Sequence, residues 1–515
     1  MAGYLLGIDA GTESVRAGIF DGHGRCAGFG TSANTTLFSR PGWAEQDPRE
    51  WEGAVVEAVR AALGASRIDP AAVEAVGVDG TTCTVVLLDG DGAPLGNALM
   101  WMDIRASAEA KEIAATRDQA LEYVGFGNVS AEWFPCKLLW LRRNEPALYD
   151  QAKILFEQTD WLVWLLTGEP TLNLNTASMR WFFNARRGGF PLSLYRKIGL
   201  ESALEKVPSR IVKIGERAGA LTRSMAERTG LRAGIPVAGG GGDAFVAMIG
   251  VNALTPGRLA LVTGSSQLQL ATVPSAVHAP GLFGSFPDAV VEGLEVIEAG
   301  QVSTGSVLRW FTKNFIGAEL AADASRRGVS AYDLLNERAA RIAPGSEGLV
   351  VLDHWQGNRT PWTDPASRGV IRGLTLSHTP AHLFRAIMEG VAYGTQVVLD
   401  LMDRNRVAID EIVACGGATS SDLWMQITAD VTGKTITIPE EAQAAALGSA
   451  AAASVAAGIY ASLKEAAQEM VRPARVFEPD LGAHGRYLAY VDHYVATYEA
   501  LKEDSHRLVS AIEDC

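Results

Sequence analysis

The stretch Gly239-Gly240-Gly241-Gly242-Asp243-Ala244-Phe245 lies near the middle of a chain of 515 residues. Four successive glycines free the backbone for conformations and close approaches that a Cβ would prevent. The acid that follows them opens an apolar helical segment, 244–249, and a helix N-terminus favours an ionised carboxylate. The sequence therefore predicts that Asp243 is presented at the edge of a cleft. A flexible linker between domains is the alternative reading of such a glycine run.

Two strand–turn–strand segments lie on either side of this stretch. Residues 4–20 form a hairpin pattern whose tip is Asp9-Ala10-Gly11-Thr12-Glu13, and residues 257–270 repeat it with the tip Thr263-Gly264-Ser265-Ser266. Each tip alone is equally well explained as an ordinary turn. Their repetition predicts a duplicated domain, and together with Asp243 they favour a cleft that holds phosphate.

The rest of the chain alternates between strand and helix patterns, which predicts the α/β fold class. A helix opens at Asp47-Pro48 and is expected to stop at Gly64. Helices are also expected from about residue 105 to 115, from Asp422 and over the last thirty residues. Further strands are expected at 27–31, 73–78, 85–88 and 412–415. The length predicts at least two large domains, which we place at residues 1–247 and 248–480, with a helical tail at 481–515.

Composition excludes several classes of function. The net charge of -14 and the isoelectric point of about 5.2 argue against nucleic acid or an anionic membrane as a partner. The alanine-rich run 442–461 is predicted to be a buried helix rather than a membrane span because alanine gains little from lipid. The N-terminus lacks the basic region of a signal peptide. Five widely spaced cysteines without a C-x-x-C motif are typical of a reducing cytoplasm.

The motifs of several other enzyme classes are incomplete or missing in this sequence. Gly433-Lys434-Thr435 lacks the upstream glycine of a P-loop. No acidic residue follows Asp243 before Asp288, so the ribose-binding acid of a dinucleotide fold is missing. His378 and His382 have zincin spacing without the zincin glutamate, and Pro380 is instead expected to begin a helix. No G-x-S-x-G elbow occurs.

The sequence resembles the FGGY carbohydrate kinases over nearly its whole length. The motifs that carry the resemblance are the segments 7–12, 137–141, 239–243, 263–266, 369–374, 382–389 and 416–418. The spacing between 369–374 and 382–389 is the most specific of them. The resemblance implies two duplicated actin-like (ribonuclease H-like) ATPase domains around a central cleft.

The resemblance also implies a phosphoryl transfer from ATP with Mg²⁺. By resemblance, Asp243 is the catalytic base, and Asp9 places the metal together with Asp243. The residues expected at the nucleotide and its phosphates are Gly11, Thr12, Glu13, Thr263, Gly264, Ser265, Gly416, Gly417 and Ala418. The chemistry agrees, because phosphoryl transfer requires positioning, charge neutralisation and a carboxylate in line with the attacking hydroxyl.

A sugar needs donors and acceptors at fixed spacing beside an apolar or aromatic wall, and Trp101, Asp103 and Arg105 supply those groups within five residues. The resemblance adds Thr82 and Cys83, in a turn closest to that of ribulokinase-type enzymes, and Glu132 and Arg180. Glu132 and Phe134 depart from the usual residues of the family's first signature, which contacts the sugar. A mutual surface ion pair is the alternative role for Glu132 and Arg180.

A pentulose kinase of the ribulose or xylulose type is therefore the first hypothesis. A polyol kinase acting on erythritol or glycerol is the alternative, and a non-catalytic, nucleotide-switched binder is a third hypothesis from another class. The expected partners are ATP and a small sugar or polyol, with neither nucleic acid nor a membrane. A homodimer is the assembly expected if the chain self-associates.

Overall fold

The computed structural model describes residues 3–125 and 129–513. Met1, Ala2 and the fifth cysteine, Cys515, lie outside the described residues. The strands of the first half are β1 Tyr4–Ala10, β2 Ser14–Asp21, β3 Cys26–Ala33, β4 Glu45–Gln46, β5 Val73–Gly80, β6 Val85–Leu88, β7 Ala98–Leu99, β8 Ile154–Glu157, β9 Leu172–Asn173, β10 Ile211–Val212, β11 Arg217–Ala220, β12 Pro236–Ala238 and β13 Gly241–Gly242. Its helices are α1 Pro48–Ser66, α2 Ser107–Ala115, α3 Phe134–Asn144, α4 Pro146–Gln151, α5 Gln158–Thr167, α6 Leu174–Arg180, α7 Leu192–Lys197, α8 Arg223–Thr229 and α9 Asp243–Gly250.

The second half has the same mixture of elements. Its strands are β14 Gly257–Thr263, β15 Gln267–Val273, β16 Phe283–Pro287, β17 Glu295–Gln301, β18 Val350–Leu352, β19 Val370–Arg372, β20 Ile409–Gly416, β21 Thr435–Pro439 and β22 Pro473–Phe477. Its helices are α10 Gly305–Phe315, α11 Ala318–Arg327, α12 Ala331–Ala339, α13 Pro380–Arg404, α14 Asp422–Thr432, α15 Ala444–Ala456, α16 Leu463–Met470 and α17 Leu481–Glu513.

The two main sheets have one design. The first runs β11-β12-β5-β1-β2-β3, and the second runs β22-β21-β20-β14-β15-β17 with β16 added at its edge. The central pairs, β1 with β5 and β14 with β20, are parallel, and each is followed by an antiparallel hairpin strand. The predicted duplication is therefore confirmed, and the sheets match the actin-like ATPase architecture.

Helices α9 and α15 pack against each other between the two sheets, and α15 also packs on β1 and β5. The contact requires glycine in the strands. A Cβ on Gly7 would lie 1.8 Å from the carbonyl oxygen of Ala446, and one on Gly77 would lie 1.8 Å from that of Ser449. The alanine-rich run is thus a helix buried against the first sheet, as predicted.

Most element predictions are confirmed within two residues. The stop expected at Gly64 is wrong, because α1 continues to Ser66, and the next residue, Arg67, provides a left-handed cap with a φ of 54°. Pro380 begins α13 as expected. The C-terminal helix α17 packs its buried tyrosines, Tyr487 and Tyr494 among them, against the second half.

Two features of the structure relate to membrane insertion and to the state of the cysteines. In the part of the chain that the structure describes, no helix is long and apolar enough to cross a membrane. Cys26, Cys83, Cys136 and Cys415 are all free thiols.

Candidate active site

Three carboxylates meet at one edge of the first sheet. Asp9 on β1 is the register partner of Asp79 on the parallel strand β5, and Asp79 is in turn the partner of Gly241 on β13. Asp243 follows two residues later as the first residue of α9. The carboxyl ends of parallel strands are the usual place for ligands in such sheets. The sheet register therefore brings together residues from three distant parts of the chain.

The glycine run is packed and hydrogen-bonded, so the alternative of a flexible linker is wrong. The Asn173 Oδ1 accepts the Gly240 N–H at 2.8 Å, and the Asn175 Oδ1 accepts the Gly242 N–H at 2.8 Å. A Cβ on Gly240 would lie 2.2 Å from the carbonyl oxygen of Val78, so this position requires glycine. The run holds Asp243 in a fixed position beside the end of β5.

Burial raises the pKa values of all three carboxylates. Burial, and after it the negative charge of Asp9, raises the pKa of Asp243 to about 7. Burial and the same charge raise the pKa of Asp79 well above its usual value, although a hydrogen bond from the Ser449 hydroxyl at 2.6 Å opposes the shift. Burial also raises the pKa of Asp9, against the attraction of Arg16, which lies 3.0 Å away. The edge of the sheet therefore favours proton or cation binding.

The tip of the first hairpin has two of its carbonyl groups occupied and three successive N–H groups without an acceptor in the described chain. The carbonyl of Gly11 accepts from the Asn34 side chain at 2.9 Å, and that of Thr12 accepts from the Gln46 side chain at 2.8 Å. Within the described residues, the backbone N–H groups of Gly11, Thr12 and Glu13 donate no hydrogen bond. Because successive free N–H groups attract anions, this tip can receive phosphate oxygens.

The tip of the second hairpin is joined to the turn after β20. The Thr263 hydroxyl donates to the Cys415 carbonyl at 2.7 Å and accepts the Ala418 N–H at 3.1 Å. Gly416 has a φ of 92°, and a Cβ there would lie 1.9 Å from the carbonyl oxygen of Thr263. Only glycine fits this position, and Gly264, Ser265, Gly416 and Gly417 are all exposed to solvent.

The turn that carries Thr82 and Cys83 is held from both sides by buried charged groups. Cys83 has a φ of 61°, its N–H donates to Glu157 at 2.8 Å, and its carbonyl accepts from the Lys137 ammonium at 2.7 Å. Burial raises the pKa of Glu157 to about 8 and lowers that of Lys137. The turn is therefore rigid, while Thr82 itself remains partly exposed.

Trp101, Asp103 and Arg105 follow β7, which lies in a small sheet with β4, β6 and β8 rather than in the main sheet. The Trp101 indole N–H donates to the Thr12 hydroxyl at 2.9 Å, so this ring contacts the first hairpin tip. Asp103 and Arg105 form a buried ion pair with each other, and the Asp103 carboxylate also accepts the Ala44 N–H. Their polar groups are engaged within the chain.

Arg180 and Glu132 do not pair with each other, so the alternative of a mutual surface ion pair is wrong. The Arg180 Nη2 lies 2.6 Å from the Glu298 Oε2, and both side chains are less than a tenth exposed. Glu132 has Arg359 as its ion-pair partner, with 3.8 Å between the Arg359 Nη2 and the Glu132 Oε2. The structure therefore joins two residues of the first half with two of the second.

Asp79, Glu298 and Arg359 belong to this region and were not assigned to the site from sequence. A signal existed for Asp79, since it ends an apolar strand as Asp9 does, and for Glu298, a charged residue within the buried strand β17. Arg359 stands in the segment 357–360, which resembles that of ribulokinase-type enzymes but carries no general motif that assigns a role to this arginine. Asn173 and Asn175, which hold the glycine run, also gave no signal.

A duplicated α/β fold with two glycine- and hydroxyl-rich turns and a row of carboxylates has the groups that phosphoryl transfer requires. Models of the FGGY family of carbohydrate kinases match the chain at residues 4–250 for the N-terminal domain and 259–457 for the C-terminal domain. The chain belongs to the FGGY family of carbohydrate kinases, and it is therefore a sugar kinase.

Individual relatives agree with this assignment. The chain is 34% identical to the ribulokinase of Geobacillus thermodenitrificans, over 98% of this chain and 94% of the relative. It is 33% identical to the ribulokinase of Anoxybacillus flavithermus with the same coverage. Among solved structures, the xylulose kinase of Rhodospirillum rubrum matches with a TM-score of 0.86 and 27% identity, over 98% of this chain and 100% of that one.

Proposed function

We propose that the chain transfers the γ-phosphoryl group of ATP to a hydroxyl of a small ketose, a pentulose of the ribulose or xylulose type. The observation that carries the proposal is the position of Asp243, fixed by the glycine run next to Asp9 and Asp79. The ribulokinase relatives support a pentulose as the acceptor.

In the proposed reaction the substrate hydroxyl oxygen attacks the γ-phosphorus, the bond from that phosphorus to the bridging oxygen of ADP breaks, and the hydroxyl proton passes to Asp243. A general base works best when its pKa lies near the working pH, and the value of about 7 for Asp243 meets that condition. The remaining contribution is positioning, which the rigid turns around the cleft supply.

Asp9 and Asp243 would hold Mg²⁺. Magnesium is usually bound by one or two carboxylates, with waters and substrate phosphates completing its shell. The described residues contain no group of three or more His, Cys, Asp or Glu side chains that could hold a metal ion by themselves. A shared site of two carboxylates fits a magnesium ion that arrives with the nucleotide, where it would neutralise phosphate charge. The buried Asp79 lies beside them, and its Oδ1 has no hydrogen-bond partner in the described chain.

The nucleotide is proposed to lie against the second half. Thr263, Gly264 and Ser265 would face its phosphates opposite Gly11, Thr12 and Glu13. Gly416, Gly417 and Ala418 would lie at the adenosine. The Ser265 carbonyl accepts the N–H groups of Thr304 and Ser306 at the start of α10, which places a helix N-terminus beside the same turn and favours bound phosphate.

The sugar is proposed to lie against the first half. Thr82, Cys83, Trp101, Glu132 and Arg180 would line its pocket. Sugar contact by Asp103 and Arg105 stays a prediction, and their buried ion pair favours a supporting role for both.

The division into residues 1–247, 248–480 and 481–515 also stays a prediction, with the family models meeting around its first boundary. The cytoplasm remains the expected compartment and a homodimer the expected assembly if the chain self-associates.

The test is ADP release measured with a panel of ketoses and polyols. We expect a pentulose to stimulate ADP release most strongly. The proposed pocket has more charged side chains than the three hydroxyls of glycerol can contact. Stronger stimulation by erythritol or glycerol would favour the polyol alternative. The third hypothesis, a non-catalytic binder, is disfavoured by membership of a kinase family.

A further inference from the structure

We propose that Arg359, contributed by the second half, is a substrate-binding residue that completes the sugar pocket and selects acceptors with more hydroxyls than a three-carbon polyol has. The inference rests on the proposed function. It deepens that function by extending the sugar site, assigned above to the first half, across the cleft.

The backbone that carries Arg359 is fixed to the strand that carries Glu298. The Thr360 N–H donates to the Gly300 carbonyl at 3.1 Å, and the Gly300 N–H donates to the Thr360 hydroxyl at 3.2 Å. The Arg359 carbonyl accepts the Thr363 N–H at 3.0 Å. The side chain crosses over β17, since a Cβ on Gly300 would lie 3.2 Å from the Arg359 Cδ. Arg359 therefore reaches the cleft from a rigid base.

The guanidinium lies between two carboxylates without a direct hydrogen bond to either. Its nitrogens are 3.8 Å from the Glu132 Oε2 and 4.0 Å from the Glu298 Oε1. In the described chain, neither the Arg359 guanidinium nor the Glu132 carboxylate makes a hydrogen bond, and their side chains are 32% and 22% exposed. A guanidinium has five N–H donors and a carboxylate accepts only. Hydroxyls suit such a pair because each one both donates and accepts.

These charges surround the turn of Cys83. Arg180 and Glu132 both influence the pKa of the Cys83 thiol, and the Arg359 guanidinium lies within 4.0 Å of Glu132 and of Glu298, which is the ion-pair partner of Arg180. Arg359 thus belongs to the part of the pocket around Cys83 rather than to the carboxylate row. A three-carbon polyol has fewer hydroxyls than a pentulose with which to contact both Asp243 and Arg359.

A purely structural ion pair between the halves has a different geometry, which the molecule itself illustrates. Arg186 of the first half contacts Asp288 and Glu295 of the second at 2.7 Å each. Loose, partly exposed pairs at 3.8–4.0 Å contribute little to stability. Arg186 joins the halves directly, whereas Arg359 keeps its donors available for a ligand.

The experiment compares wild type, Arg359→Leu, Arg359→Lys and the control Arg186→Leu, with the best pentulose, with glycerol and with ATP as varied substrates. We expect Arg359→Leu to raise the pentulose KM about tenfold or more, as expected when polar substrate groups lose their partners. The ATP KM and the activity on glycerol should stay within about twofold. Arg359→Lys should restore part of the pentulose affinity, and Arg186→Leu should leave the pentulose KM unchanged.

An unchanged pentulose KM in Arg359→Leu, or an equal rise in the ATP KM, would overturn the inference while leaving the kinase assignment intact. Wild-type protein that releases ADP with none of the sugars would instead refute the proposed function and this inference with it. Thermal unfolding of each variant shows whether the protein is still folded, and therefore separates misfolding from lost binding. Arg359→Lys is the conservative variant, because it keeps the charge and most of the side-chain volume.

Discussion

The two halves of the molecule share one strand order but differ in the chemistry at the ends of their central strands. In the first half the parallel strands β1 and β5 bring Asp9 and Asp79 side by side. In the second half the corresponding strands β14 and β20 pair Thr263 with Gly416. One scaffold thus presents carboxylates on one side of the cleft and uncharged groups on the other.

The difference assigns a separate role to each half. Carboxylates attract a proton or a cation, as the raised pKa values of Asp79 and Asp243 indicate. The Thr263 hydroxyl and a glycine without a side chain allow phosphate to approach without charge repulsion. Under the proposed function, duplication followed by this division of chemistry would provide a base in the first half and a phosphate site in the second. The variants below test each half in turn.

The largest effect is expected from Asp243→Asn in the first half. The amide keeps the shape of the side chain and cannot accept the hydroxyl proton, so kcat should fall on the order of 10²-fold or more. Nucleotide affinity should be retained because the turns of the second half are unaltered. Steady-state kinetics and calorimetric nucleotide titration measure the two quantities. Near-normal turnover would refute the role of Asp243.

In the second half, Gly416→Ala should weaken ATP binding. The new Cβ would meet the Thr263 carbonyl oxygen at 1.9 Å in a backbone conformation that favours glycine, so the turn must move. We expect the ATP KM to rise about tenfold while the sugar KM stays within twofold. Gly53→Ala, where a Cβ meets nothing within 4 Å, is the control. A selective rise in the sugar KM would contradict the division.

Smaller, sugar-specific effects are expected from Arg180→Ala and Glu132→Ala. Each should raise the sugar KM at least several-fold and leave the ATP KM nearly unchanged, since unpaired polar groups in a closed site cost about 1–3 kcal/mol. Arg180→Ala should have the larger effect because it also removes the hydrogen-bonded ion-pair partner of the buried Glu298. Equal changes for both substrates, or for neither, would show that these residues do not contact the sugar.

Sequence predicted the elements whose signals are local. The two hairpins, the glycine run and the Pro-initiated helices are each specified within a few residues, and the repeat of hairpin and turn indicated the duplication. The position of Asp243 at a helix start followed from its neighbours alone.

The rest depended on pairings between distant parts of the chain. Asp79 meets Asp9 only through the register of two parallel strands, and Arg180 meets Glu298 across 118 positions. Asp103 and Arg105 have suitable chemistry for a sugar, but their mutual ion pair depends on how the small sheet packs. Local patterns do not determine such contacts, which is why Glu298 and Arg359 were missed.

The pH dependence of kcat/KM tests the central claim most directly. A base must be ionised to accept a proton, so with a pKa of about 7 for Asp243 in the free enzyme kcat/KM should be half-maximal near pH 7 and constant from about one pH unit above it. Well below pH 7, kcat/KM should fall about tenfold per pH unit, and the residual activity of Asp243→Asn should lack this decline. A wild-type profile that stays flat down to pH 5, or the same decline in Asp243→Asn, would contradict the account.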